Sequence, residues 1–202
     1  MSSSDTRQHI LEEATRLFVA EGYVGLSMRQ LAEQVGVSKA GLYYHFKDKE
    51  TLFLAILTDN LLEIEKIINQ ARNQDAPVAT KIRRIFTGIF HRSPEQQAII
   101  RLASQESGHL SPAARRAFRQ LYHQKFTAQI QGILQEGVSS GELREMDARH
   151  ATWILLGMMY PYFYPSHRKE MGDPQVALDL MLRIYFEGAN SEVRRTTEVR
   201  RT

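Results

Sequence analysis

The sequence predicts an all-α protein, and three observations carry that reading. Apolar residues recur at i, i+3, i+4 and i+7 along most of the chain. Helix starts are marked by a capping residue before proline at Ser93-Pro94, Ser111-Pro112 and Asp173-Pro174, and helix ends by Gly22, Gly36, Gly108, Gly141 and Gly188. No stretch alternates apolar and polar residues with period two between hairpin signals. About nine helices are expected. They form an N-terminal three-helix domain over residues 1–50, joined by a long helix to a C-terminal helical domain over residues 51–190. Residues 191–202 form a polar, arginine-rich tail.

The first helix should run from Thr6 to Glu21, with Ile10, Ala14, Leu17 and Phe18 on one core-facing stripe and Gly22 ending it. Ser27 suits the N-cap of the second helix, with Gln30 closing a capping box. Leu31, Ala32 and Val35 make its buried face, Gly36 stops it where a left-handed residue is needed, and Val37 plugs the corner. Ser38 caps the third helix, Lys39 to Phe46. There Leu42 and Phe46 point inward, Ala40, Gly41 and Tyr44 point outward, and Tyr43 and His45 lie on the flanks. Helix, short glycine turn, helix is the layout that puts a recognition helix in the DNA major groove.

Two features of this stretch need an explanation. Gly41 inside a helix costs about 1 kcal/mol against alanine, so either a ligand approaches there or a neighbouring helix crowds it. Arg29 and Lys39 lie in first turns, where the helix dipole disfavours cations. Lys47 and Lys49 flank the start of the fourth helix, which Asp48 caps. Any one of these cations could be a solvated surface charge. Four around one turn point to a polyanion, which also suits helix N-termini.

The fourth helix continues to about Asn69 through Leu52, Phe53, Ile56, Leu57, Leu61, Ile64 and Ile68, long enough to leave one domain and enter the next. Asp75 with Pro77 opens a fifth (Ile82, Ile85, Phe86, Ile89, Phe90), and Ser93 to Gln96 a sixth that Gly108 closes. Ser111-Pro112 opens a long seventh that runs to Gly141. Asp147 caps an eighth, and Asp173-Pro174 opens a ninth that ends at Gly188.

The run from Ile10 to Phe53 resembles the tetracycline-repressor (TetR) family of helix-turn-helix transcription regulators. The resemblance rests on Ala14, Leu17 and Phe18, then Gly22-Tyr23, Leu31-Ala32, Gly36-Val37-Ser38 and Leu42-Tyr43-Tyr44-His45-Phe46, matched without a gap. It implies that residues 1–50 bind an operator in double-stranded DNA through Ser27, Arg29, Ser38, Lys39, Ala40, Gly41, Tyr43, Tyr44, His45, Lys47 and Lys49. Ser27, Tyr43 and Lys49 would hold phosphates, and Tyr44 and His45 a phosphate or a base. Arg29, Lys39, Ala40 and Gly41 would face base edges. Ala40 and Gly41 are smaller than the side chains many members carry there, so direct readout from them is weak.

Composition narrows the function classes. There is no cysteine among 202 residues, which excludes disulfides and thiolate metal sites and fits a reducing cytoplasm. The polar start MSSSDTRQ has no apolar signal-peptide core, and the longest apolar run, Trp153 to Tyr164, is shorter than the ~20 residues that span a bilayer. No membrane association is therefore expected. The net charge of +3 is misleading, because residues 1–50 carry six basic against seven acidic side chains. Placement of the cations, not their sum, points to DNA. No HExxH, P-loop or Gly-x-Gly-x-x-Gly is present, and the histidines are scattered, so neither catalysis, metal nor cofactor is expected.

The C-terminal helices carry two further expectations. Phe86, Phe90, Tyr122, Phe126 and Trp153, beside polar Arg101 and Gln105, are ordinary core residues or the lining of a pocket. The resemblance implies a pocket for a small hydrophobic or amphipathic effector, with Arg101 facing an anionic group. The eighth and ninth helices are apolar nearly all round, so they are either the centre of a larger bundle or one half of an interface. The simplest interface is a two-fold homodimer through Trp153, Leu156, Met159, Tyr160, Leu180, Ile184 and Tyr185, where the family also pairs. The tail, SEVRRTTEVRRT, has no apolar face and reads as solvated, with non-specific DNA affinity as its alternative. The implied function is a ligand-responsive homodimeric repressor. A ligand-independent DNA scaffold or activator of the same fold and a helical-bundle enzyme are the rivals.

Overall fold

The computed structural model describes residues 3–164, 170 and 172–189, and those residues are helical with no β-strand among them. Helix α1 spans Ser3–Glu21, α2 Met28–Val35 and α3 Lys39–His45. The local chemistry matches the sequence reading closely. Gln30 N bonds back to Ser27 Oγ, and Ser27 N donates to Gln30 Oε1 at 2.9 Å, completing the capping box. Gly36 sits at φ 77°, a conformation that costs any residue with a Cβ about 1–2 kcal/mol. Phe46 ends α3 in an extended conformation but stays buried, so the chain turns sharply without losing its anchor.

Helix α4 runs over Lys49–Arg72, capped by Asp48 through a 2.7 Å bond from Thr51 N. Its 24 residues span roughly 36 Å at about 1.5 Å per residue. It serves two cores. Leu52, Phe53, Ile56 and Leu57 pack with Ile10, Phe18, Leu31 and Leu42 in the N-terminal core, whereas Leu61, Ile64 and Ile68 belong to the C-terminal one. Burying a side chain such as Phe18 or Phe53 contributes about 1.5–3 kcal/mol.

Helices α5 (Val78–Phe90) and α6 (Pro94–Glu106) follow, then a 3-10 turn at Ser107–His109. Asp75 does not cap α5. Pro77 occupies the cap position with no side-chain bond, and Val78 N donates instead to Glu142 Oε1 at 2.7 Å from the far side of the bundle. The expected long seventh helix is present but interrupted. It is α-helical over Pro112–Tyr122 (α7), π-helical over His123–Thr127, and α-helical again over Ala128–Ser139 (α8). Helix α9 (Ala148–Met159) begins at Asp147, which accepts from Arg149 N and His150 N, and it gives way to a 3-10 turn at Tyr160–Phe163 around Pro161. Helix α10 covers Pro174–Ala189. Tail residues 191–202, expected to be solvated, lie outside the described residues.

The two cores do not part at residue 50. Ile99 and Leu102 of α6, with Leu110 and Ala114 at the start of α7, join the N-terminal core. Glu50 at the start of α4 accepts from Ser111 N at 2.6 Å and from Ser111 Oγ at 2.9 Å. The α6–α7 corner is thus fastened directly to the N-terminal domain. No helix among the described residues is long and apolar enough to cross a membrane.

Candidate functional site

The outward face of α3 is uncovered. Leu42 and Phe46 are buried beneath it, while Ala40 is exposed, Gly41 half-exposed and Tyr44 79% exposed. Tyr43 is exposed and its ring lies 6.0 Å from Lys39 Nζ; the half-buried His45 packs edge-on against Tyr44 at 5.0 Å. A Cβ added at Gly41 would meet nothing but its own cap, Ser38 Oγ at 3.1 Å, which itself accepts from Gly41 N. No neighbouring helix crowds the glycine; the tight contact is with the cap of its own helix.

The cations around this face are held in different ways. Arg29 pairs with Glu33 at 3.1 Å on the exposed side of α2, and Lys47 stands 4.0 Å from Asp48. Such exposed pairs are worth about 0–1 kcal/mol and yield readily to a phosphate. Lys49 differs from the expectation of a phosphate ligand. Its ammonium donates to Tyr23 O at 2.8 Å and Leu26 O at 2.7 Å, and lies 4.4 Å from the Tyr23 ring centre. Desolvation pulls its pKa below the ordinary lysine value, with Glu106 opposing. Two of its three protons thus fix the loop between α1 and α2.

A second feature lies in the C-terminal half. A cavity of about 350 Å³ runs between α4, α5, α6, α7 and α9, and Phe86, Tyr122 and Phe126 are among its lining residues. Four other expected lining residues are not. Phe90 packs against Tyr162 and Phe163, and Arg101 donates to Phe163 O at 2.8 Å. Gln105 is exposed beyond the rim, and Trp153 faces solvent on the far side of α9. The cations at the cavity are Arg115 and Arg119 instead. Sequence reasoning missed them although Arg115, Phe118, Arg119, Tyr122 and Phe126 share one helical face by spacing. Burial pushes the Tyr122 phenol up to about 12, so it is a neutral donor at any physiological pH.

The expected interface residues separate into two groups. Trp153, Leu180 and Ile184 are exposed, as are Ile154 and Val176 on the same two helices, which were not anticipated; Tyr160, exposed in the turn after α9, lines the cavity. Met159 and Tyr185, by contrast, are buried in their own subunit, with Tyr185 Oη bonded to Ala151 O at 3.1 Å. Leu156 lines the cavity. A helix buried on one side by its own chain has only its outer stripe left for a partner. Among the described residues no group of His, Asp or Glu could hold a metal ion.

Comparison with known proteins agrees with this anatomy. Residues 10–56 match the family described as bacterial regulatory proteins, tetR family, and residues 75–161 match the tetracyclin repressor-like C-terminal domain. The uncharacterized HTH-type transcriptional regulator YhgD of Bacillus subtilis is 27% identical over 154 residues, covering 76% of this chain and 80% of its own. PfmR of Thermus thermophilus, a TetR family transcriptional regulator, superposes with a TM-score of 0.73 at 30% identity, covering 86% of this chain and 97% of its own. AibR, solved in complex with isovaleryl coenzyme A and operator DNA, shares the fold with a TM-score of 0.72 at 24% identity, over 90% of this chain and 98% of its own.

Proposed function

Because the chain belongs to the tetR family of bacterial regulatory proteins, we propose that it acts as a homodimeric repressor, released from a palindromic operator by a small, mainly hydrophobic effector. That it is a DNA-binding helix-turn-helix regulator follows from the family; its relatives are named regulators, not enzymes. The observation that carries the finer reading is the bare face of α3. A tyrosine 79% exposed beside alanine and glycine, over a buried Leu42 and Phe46, is suited to a groove about 12 Å wide.

The exposed stripe of α9 and α10 supports pairing of two subunits through these helices. Five large apolar side chains of these helices, Trp153, Ile154, Val176, Leu180 and Ile184, stand exposed, more than an isolated surface should carry. A two-fold pair would present its α3 helices about 34–36 Å apart, one turn of DNA. The cavity supports a ligand-responsive protein over a ligand-independent scaffold, and AibR is a protein of this fold that holds both isovaleryl coenzyme A and operator DNA. A coupling of about 1–3 kcal/mol between the two sites lowers operator affinity roughly 5- to 150-fold. A DNA partner and a chain free of cysteine support a cytoplasmic location.

The test is selection of bound duplexes from a random library, followed by binding of the selected operator to Arg29→Ala and Tyr44→Ala. A two-fold symmetric site is expected, with specific affinity lost in both variants. Wild-type affinity in both would overturn the assignment of this face.

A further inference from the structure

The cavity is polar at its mouth and apolar at its floor. Leu61, Ile64, Phe86, Ile89, Phe126 and Met159, all buried, form the floor. Ser104, Ser107, Arg115, Arg119 and Tyr160 are exposed or half-buried and stand where it meets solvent. Ser104 Oγ and Tyr160 Oη satisfy each other at 2.7 Å. The two guanidiniums, one helical turn apart on α7, have no such satisfaction. Among the described residues neither has a carboxylate within 4.0 Å or a side-chain hydrogen bond. Arg84 and Arg116 are also without an ion pair among the described residues, but only Arg115 and Arg119 line the cavity, whereas Arg101 is held by Phe163 O and Arg92 by Asn60.

Two like charges one helical turn apart at the rim of an apolar cavity repel each other, and no carboxylate among the described residues offsets that. An oxyanion between them does so, and the planar fork of arginine suits it. We infer that the cavity takes an anionic amphipath, its chain on the floor and its carboxylate or phosphate held at the mouth by Arg115 and Arg119. The volume, about 350 Å³, lies at the small end of ligand sites and so suits a short chain. A larger anionic head, as in an acyl thioester of coenzyme A, would continue outward past the arginines. Tyr122, neutral and facing the same space, supplies a donor below the rim.

This inference rests on the reading of the cavity as the effector site, and the experiment separates the two. Octanoate, octanoyl-coenzyme A and octan-1-ol are titrated into the DNA-free full chain by calorimetry, for wild type, R115Q/R119Q and R115K/R119K. Charge-assisted bonds of the usual strength make octanoate or octanoyl-coenzyme A bind about tenfold or more tighter than octanol. The glutamine pair removes that margin while still binding octanol, which reports an intact cavity; the lysine pair keeps part of it. Which anion wins tells a free acid from a thioester. Octanol binding as tightly as both anions, a margin surviving in R115Q/R119Q, or no binding of any probe would overturn the inference. Operator affinity is measured in parallel. An anion bound through the arginines without effect on DNA sinks the effector reading and leaves the head-group site standing, whereas release by octanol alone does the reverse.

Discussion

At the scale of single residues, Tyr44 and Arg29 carry different kinds of contact. Tyr44 rests edge-on against His45 and otherwise faces solvent, so its removal disturbs no core contact. In the proposed DNA complex Arg29 leaves Glu33, at a cost within the ~0–1 kcal/mol of an exposed pair. Tyr44→Ala and Arg29→Ala are expected to keep the wild-type unfolding free energy within about 0.5 kcal/mol, measured by urea titration. Each should lose about 1–3 kcal/mol of operator affinity, measured by fluorescence anisotropy at fixed salt. Lys49 belongs to another class: its ammonium holds the carbonyls of Tyr23 and Leu26, so its substitution is expected to disturb the fold of the domain before it touches DNA.

At the scale of elements, caps decide where helices begin, and Asp48 is the most consequential because α4 links the two cores. Bonds from Thr51 hold its carboxyl below the usual carboxylate value, despite an opposing desolvation. A depressed acid stabilises the fold above the unfolded pKa of about 4, and the gain is lost as pH falls through the folded value. Asp48→Ala is therefore expected to cost about 1 kcal/mol near neutral pH and progressively less below pH ~4, in urea titrations at several pH values. Asp48→Asn should retain most of the cap. These punctuation residues were legible without coordinates, because a cap, a stop or a left-handed glycine is specified within four residues of itself. Ser27 with Gln30, Gly36 and Ser93 with Gln96 all act as their spacing predicts. What spacing could not reveal was which side of an all-round apolar helix meets which neighbour. Met159 and Tyr185 fall inward, and Trp153 outward, because of how α5 and α8 pack on α9 and α10, which is a tertiary matter. The same holds for the cavity: Arg101 and Arg115 look alike in sequence, and only the close approach of Phe163 O engages the first.

At the scale of the whole molecule, two assemblies are at stake: the proposed dimer and, within each subunit, the joint between the two cores. Ile154 and Leu180 are exposed and belong to neither core cluster, so Ile154→Glu with Leu180→Glu should leave the subunit folded and leave it single. Light scattering on a sizing column is expected to give a mass of about one 23.2 kDa chain where the parent gives two. Operator affinity should fall with it, since each half-site is then met separately. A parent that runs as a monomer would remove the premise. The interrupted helix at Tyr122 bears on what happens inside each subunit. Its later part is riveted to α4 by Arg72 on Gln129 and Glu136, and Lys125 ties the rear of the π turn to Glu65. Its earlier part is fixed at the other extreme, through Ser111 on Glu50, and carries the unpaired arginines between. A π-helical turn forgoes the regular i to i−4 ladder, so it is a place where one rod becomes two. Amide hydrogens of residues 112–122 are expected to exchange with deuterium faster than those of 128–139, and to slow when the cavity is filled. Seen that way, the turn at His123–Thr127 is a universal joint: a ligand can tighten the forward shaft while the rear one stays bolted down.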